Sequence, residues 1–251
     1  MRIRLDRRNA PRHPKARYGS TRVLVAAVAC LFPRPAFTQV ARPEFVTHPL
    51  GPIAGHWTVG LGAGVDVLPR RLVESEWRQL PHARLRSRVG LGRNFYFAQR
   101  ANVVVIDNQV EFGFGWGYGL GGVAVGVHDH VGVTWGTIGV EGFDATGWAL
   151  AHDPGLSVAY PLRGVLSTLT LEALIVHARH VTVGESSLTQ KHITFQGVSV
   201  ELTFESPLES KDVVFYGMAA VYAKPDYQLW LAFSDTETRQ LYPRFFAGYA
   251  F

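Results

Sequence analysis

The sequence predicts an all-β fold: a single antiparallel transmembrane β-barrel of about 12 strands, with about ten as the near alternative. Three observations predict it. From His56 to Phe251, bulky and small side chains alternate with period two, and no helical period is sustained. The face opposite the bulky residues carries Gly, Ser, Thr and a few charges, not the many Lys and Glu that a soluble sandwich turns to water. Finally, 25 of the 26 glycines follow residue 38, which suits a narrow interior and tilted, coiled strands.

Residues 1–38 read as a signal peptide. Nine of the 25 basic residues and one of the 20 acidic residues precede Gln39, leaving 16 basic against 19 acidic in the remainder. The net charge of +5 therefore describes a leader and offers no phosphate-binding face, so no nucleic-acid partner is expected. Val23 to Phe32 is an apolar run, Pro33, Arg34 and Pro35 break it, and small residues precede a cut after Thr38. The one cysteine, Cys30, falls inside that leader, which excludes a disulfide scaffold. Apolar content of 47% excludes disorder. The apolar runs are too short for a spanning helix. Residues 39–55, with Pro43, Pro49 and Pro52, read as an extended periplasmic lead-in, and 56–251 as the barrel.

The strands follow in order. The clearest is Gln109 to Gly119. Val110, Phe112, Phe114, Trp116 and Tyr118 share one face, and Glu111, Gly113, Gly115, Gly117 and Gly119 lie on the other. Comparable stretches are Trp57–Leu68, Ala83–Gly92, Phe95–Ile106, Leu169–Ala178, His192–Phe204, Val213–Ala223, Tyr227–Phe233 and Tyr242–Phe251. Turn signals stand at Asp107-Asn108, Asp153-Pro154-Gly155, Pro161-Leu162-Arg163-Gly164 and Lys224-Pro225-Asp226. Val131 to Leu162 does not resolve into strands by pattern.

The chain ends in Phe251. Tyr249, Ala247 and Phe245 precede it at steps of two. This terminus resembles the closing-strand signature of bacterial outer-membrane β-barrels, and these four residues would be the membrane-insertion signal. The resemblance implies an outer-membrane location, contact with outer-membrane lipid and lipopolysaccharide, and delivery to the barrel-assembly machinery. The function then expected is a passive narrow channel or a structural barrel, with no cofactor and no catalytic residues. Two alternatives stay open: a lipid- or lipopolysaccharide-modifying barrel enzyme, and a secreted β-sandwich binder. Against the enzyme, the sequence lacks the His-x-Ser pair of the phospholipase and deacylase barrels.

Candidate site residues follow from the alternation. Arg84, Arg86 and Arg88 share one strand face, and Glu111, Glu172 and Glu201 lie on the polar faces of theirs. Facing lipid, each arginine would cost about 2–4 kcal/mol near the midplane, so all six are expected to line the lumen. An arginine stripe also suits an anion path through a small pore. His128-Asp129-His130 reads as a turn. Its two imidazoles form a weak chelating pair with no third ligand in sequence, so no metal is expected. Trp57, Trp77, Trp116, Trp135, Trp148 and Trp230 are expected in interfacial girdles.

Overall fold

The computed structural model describes residues 45–69, 79–104, 107–140, 143–208, 212–224 and 239–251. The strands are β1 (Trp57–Val67), β2 (Gln79–Gly92), β3 (Phe95–Val104), β4 (Asn108–Leu120), β5 (Val123–Val140) and β6 (Phe143–Leu162). Then come β7 (Val165–Val183), β8 (Ser186–Gln190), β9 (Thr194–Pro207), β10 (Val213–Ala223) and β11 (Gln240–Ala250). Each pairs antiparallel with its neighbour. The order β6-β5-β4-β3-β2-β1-β11-β10-β9-β7 returns on itself through β6–β7. Ten strands thus close the barrel, and β8 only pairs with the last residues of β7, Arg179 to Val183. A closed sheet leaves no unpaired edge.

Ten is the smaller of the two strand numbers that the pattern allowed. Asp153-Pro154-Gly155 does not turn the chain. It lies within β6, paired with His130, Asp129 and His128 of β5. Those three residues are likewise within a strand and not in a turn. The unresolved stretch Val131 to Leu162 is the upper part of β5 followed by β6. The expected strand Tyr227–Phe233, Trp77, Trp230 and the leader lie outside the described residues.

Two tight hairpins sit at the end that carries both Trp57 and Phe251. Arg93-Asn94 (φ 51° and 65°) joins β2 to β3, and Arg163-Gly164 (φ 50° and 89°) joins β6 to β7. Positive φ at both central residues matches the right-handed twist of the flanking strands. At this terminal end Val59 and Phe251 also exchange backbone hydrogen bonds.

The outer wall is apolar. On β4, Phe112, Phe114, Trp116, Tyr118 and Leu120 are all exposed, while Glu111, Gly113, Gly115 and Gly117 are buried inside. Trp57 and Trp116 lie toward the terminal end, and Trp135 pairs directly with Trp148 toward the far end. Eight residue steps along β5 separate the partner of Trp116, Val127, from Trp135. At about 3.3 Å per residue and the tilt of a barrel strand, that is roughly 20 Å of height, close to the apolar band of a transmembrane barrel. At the level of Trp148 and beyond it, the outward residues His180, Asp144, Thr146 and Thr182 are polar. β5, β6 and β7 run 18, 20 and 19 residues, so this far end extends past the belt. The belt is interrupted by charged or ionisable groups on β5, β6 and β7. Asp129 is exposed between Val127 and Val131, and His152 meets His177 at a bulge in β7.

Candidate functional site: a plugged and charged barrel interior

The described part of the expected lead-in begins at Phe45 and packs against inward-facing side chains. The glycine faces of the strands receive it. A Cβ on Gly117 would strike the carbonyl of Pro49, and one on Gly90 would strike those of Pro52 and Ile53. Pro49 also lies 2.9 Å from a Cβ placed on Gly126. Val46 packs with Val213, Phe215, Phe246 and Ala250. The inner wall of β10 and β11 is thus apolar there, and the bare inner face of β1 at Gly60 and Gly62 makes room for Phe215 and Val46.

Polar contacts fix the segment. The amides of Val46 and Thr47 donate to the two carboxylate oxygens of Glu205 at 2.7 and 3.1 Å, and the Thr47 hydroxyl donates to Glu205 as well. Glu205 is fully buried, so its charge is held by donors of this segment. Arg88 donates to the carbonyl of His48 at 2.9 Å, and its guanidinium lies 4.5 Å from the ring centre of buried Tyr96. Gly55 donates to the Gly90 carbonyl, and Gly90 donates to that of His56.

Above this plug, ion pairs bridge the interior. β2 and β9 are not sheet neighbours, yet Arg84 and Arg86 each reach Glu201 at 2.6 Å, which requires contact across the lumen. Thr203 also donates to Glu201, and Arg84 lies 4.2 Å from the ring centre of Phe246. On the opposite side Arg100 donates to Glu111 and Glu172 at 2.5 Å each and to Asp153 at 3.3 Å. Gln109 donates to Glu111 at 2.6 Å. Nearer the far end, Arg244 clasps Asp66 through two bonds of 2.6 and 2.9 Å, with His82 3.2 Å from the same carboxylate. Pairing of this kind keeps buried charges from standing alone.

Cavities remain among these groups. One of about 120 Å³ is bordered by Arg84, Arg100, Glu111, Asp153 and Arg244, together with Lys224 at the far end. A smaller one of about 30 Å³ lies between the plug and the ion pairs, against Thr47, Arg88, His128, His130 and Glu172.

All six charged residues singled out from the alternation project into the interior, but Arg88 binds the plug and not an acid. The sequence reading missed Arg100, Asp153, Asp66, Arg244 and Glu205. Period two reaches Glu205 directly, since it follows Glu201 and Thr203 on the same face. Asp153 was hidden by its Pro-Gly neighbours. Phe245, Ala247, Tyr249 and Phe251 are exposed on the outer face. His128 and His130 both point inward, and Glu172 adds a third side chain able to ligate a metal beside them, 3.0 Å from His128 Nε2.

Fold and interior together define a closed ten-stranded antiparallel barrel with an apolar exterior and a charged, plugged interior. No family model matches the chain, and no curated protein matches it in sequence. Among solved structures, it is similar to a deletion mutant of TodX, a monoaromatic hydrocarbon channel. The identity is 9% over 82% of this chain and 69% of that one, with a TM-score of 0.36. It is similar to an active-site mutant of outer membrane phospholipase A from Escherichia coli, at 9% identity over 84% of this chain and 98% of that one, TM-score 0.34. It is also similar to the translocator domain of the autotransporter NalP from Neisseria meningitidis, at 9% over 79% and 88%, TM-score 0.35. At these TM-scores none of them bears on function.

Proposed function

We propose that this chain is an outer-membrane β-barrel closed to solute flow, a structural or surface barrel and not an open channel. The observation that carries this reading is the occupied interior. Residues 45–56 fill the terminal end, and Arg84, Arg86 and Arg100 tie opposite walls together above them. The apolar belt between two tryptophan levels supports a lipid surround, because an exposed patch of that extent is unstable in water. The barrel end that carries Trp57, Phe251 and the Arg93-Asn94 and Arg163-Gly164 hairpins then faces the periplasm, and β5–β7 project outward from the cell. Outer-membrane lipid, lipopolysaccharide and the barrel-assembly machinery are the partners, the last through Phe251 and the aromatic steps before it. Full-length protein reconstituted in planar bilayers tests the proposal. Closure gives no steady conductance, and a stable open current from the unmodified chain overturns it.

One observation favours a second reading, an enzyme acting on membrane lipid. Asp129 and the His152–His177 pair are polar groups on the lipid-facing wall, where such groups are costly. Incubation of the barrel with labelled phospholipid and lipopolysaccharide decides it. Turnover that Asp129→Asn and His152→Gln abolish would establish the enzyme, and no turnover by the unmodified chain removes it.

A further inference from the structure

We propose that His128, His130 and Glu172 form a binding site for one divalent transition-metal ion of the zinc class inside the barrel. The three side chains each offer one ligand atom, and those atoms lie within 4.8 Å of one another. They come from two strands that are not neighbours. His128 and His130 are two apart on β5, so both imidazoles point inward. Glu172 stands on β7, with β6 between.

The intervening strand is shaped for this approach. Gly155 lies between His128 and Glu172 in the sheet, and a Cβ there would collide with the His128 ring and come within 2.9 Å of the Glu172 Cγ. On the other side, a Cβ on Gly113 would come within 2.6 Å of the His130 ring. Bare backbone on both flanks therefore lets three ligands converge where ordinary side chains would separate them.

The chemistry of the donor set fits the ion. Two imidazoles and a carboxylate suit zinc and its neighbours in the first transition row. Both histidines are buried, at 7% and 3% exposure, and the Nδ1 atoms of both have no hydrogen-bond partner. A buried imidazole nitrogen without a partner is costly, and coordination through Nδ1 satisfies that of His130, while His128 would bind through Nε2. Where His128 Nε2 and Glu172 Oε1 now share a proton at 3.0 Å, an ion would take that proton's place.

Charge permits the ion. Glu111, Asp153 and Glu172 face a single guanidinium, that of Arg100. Arg86 and Arg88 also border the small cavity, but their guanidiniums are committed to Glu201 and to the His48 carbonyl. The 30 Å³ cavity beside the ligands has room for about one water, the group a fourth coordination position would take.

The test uses the full chain, refolded in detergent, stripped with chelator and dialysed against Zn²⁺. Elemental analysis is expected to find about one equivalent retained, with affinity at least about tenfold lower in His130→Gln and in Glu172→Gln. His180→Gln, on the polar extension, is expected to bind as the unmodified chain does. Heat-modifiable gel mobility reports whether each variant is folded. Co²⁺ loaded into the unmodified chain gives a second readout, the visible absorption of a low-symmetry site. No uptake and no such absorption in the unmodified chain overturns the proposal. Undiminished Zn²⁺ in His128→Gln/His130→Gln overturns it too, since the ion then sits elsewhere.

Discussion

Replacing Glu205 with Ala is expected to loosen the N-terminal segment from the barrel wall. Glu205 accepts from the amides of Val46 and Thr47 and from the Thr47 hydroxyl, and all of these groups are buried. Each buried amide left without an acceptor costs about 1–3 kcal/mol. Two of them make a loss of roughly 3 kcal/mol, or about a hundredfold in the population of the detached segment. What remains is the packing of Val46 on Phe215 and Phe246, the Arg88 bond to His48, and the backbone bridge at Gly90. Those contacts keep the segment folded back most of the time. Amide hydrogen exchange is the suitable assay, because it reads local opening directly. Val46 and Thr47 are expected to exchange about a hundredfold faster in Glu205→Ala, with a smaller gain in Glu205→Gln, which keeps one acceptor oxygen. Exchange across β4 and β10 is expected to be unchanged. Equal exchange at Val46 and Thr47 in all three proteins would refute the reasoning: the carboxylate would then be held by the segment without holding it.

Three further outcomes follow from the same interior and wall. Arg100→Met strands Glu111, Asp153 and Glu172, and is expected to cost about 3–5 kcal/mol in urea unfolding from lipid vesicles, followed by tryptophan fluorescence. Gly115→Ala drives a methyl group into the ring of fully buried Tyr96, so a loss of about 1–3 kcal/mol is expected. Gly119→Ala, whose nearest neighbour is Leu50 at 4.0 Å, serves as its near-neutral control. Phe114→Arg places a charge on the lipid face at a residue 62% exposed, and is expected to cost about 2–4 kcal/mol in the same vesicles. Thr146→Arg, beyond the Trp135–Trp148 level, is expected to cost about 0–1 kcal/mol.

The outward and inward faces of β4 were legible because alternation is a local property. Phe112, Phe114 and Trp116 need only their own sequence to declare a common side, and the same holds for Arg84, Arg86 and Arg88. Local pattern failed where composition imitated a turn. Asp153-Pro154-Gly155 has turn chemistry, yet it runs inside β6. Asp153 meets Arg100 there, and the Gly155 backbone lies between His128 and Glu172. Pro154 sits opposite Asp129 on the outer face, where Asp129 interrupts the apolar belt.

The sequence by itself determined the β class, the apolar exterior and the identity of six of the charges turned inward, because each depends on steps of two along one strand. The tertiary structure decided the rest. Closure with ten strands brought Glu201 to Arg84 and Arg86, and Glu172 to Arg100 and His128, from strands that are not sheet neighbours. It also decided what fills the space beside the glycines. A missing Cβ records only that something approaches. Here the occupants are Tyr96 over Gly115 and the carbonyl of Pro49 over Gly117, and only the closed barrel brings them there.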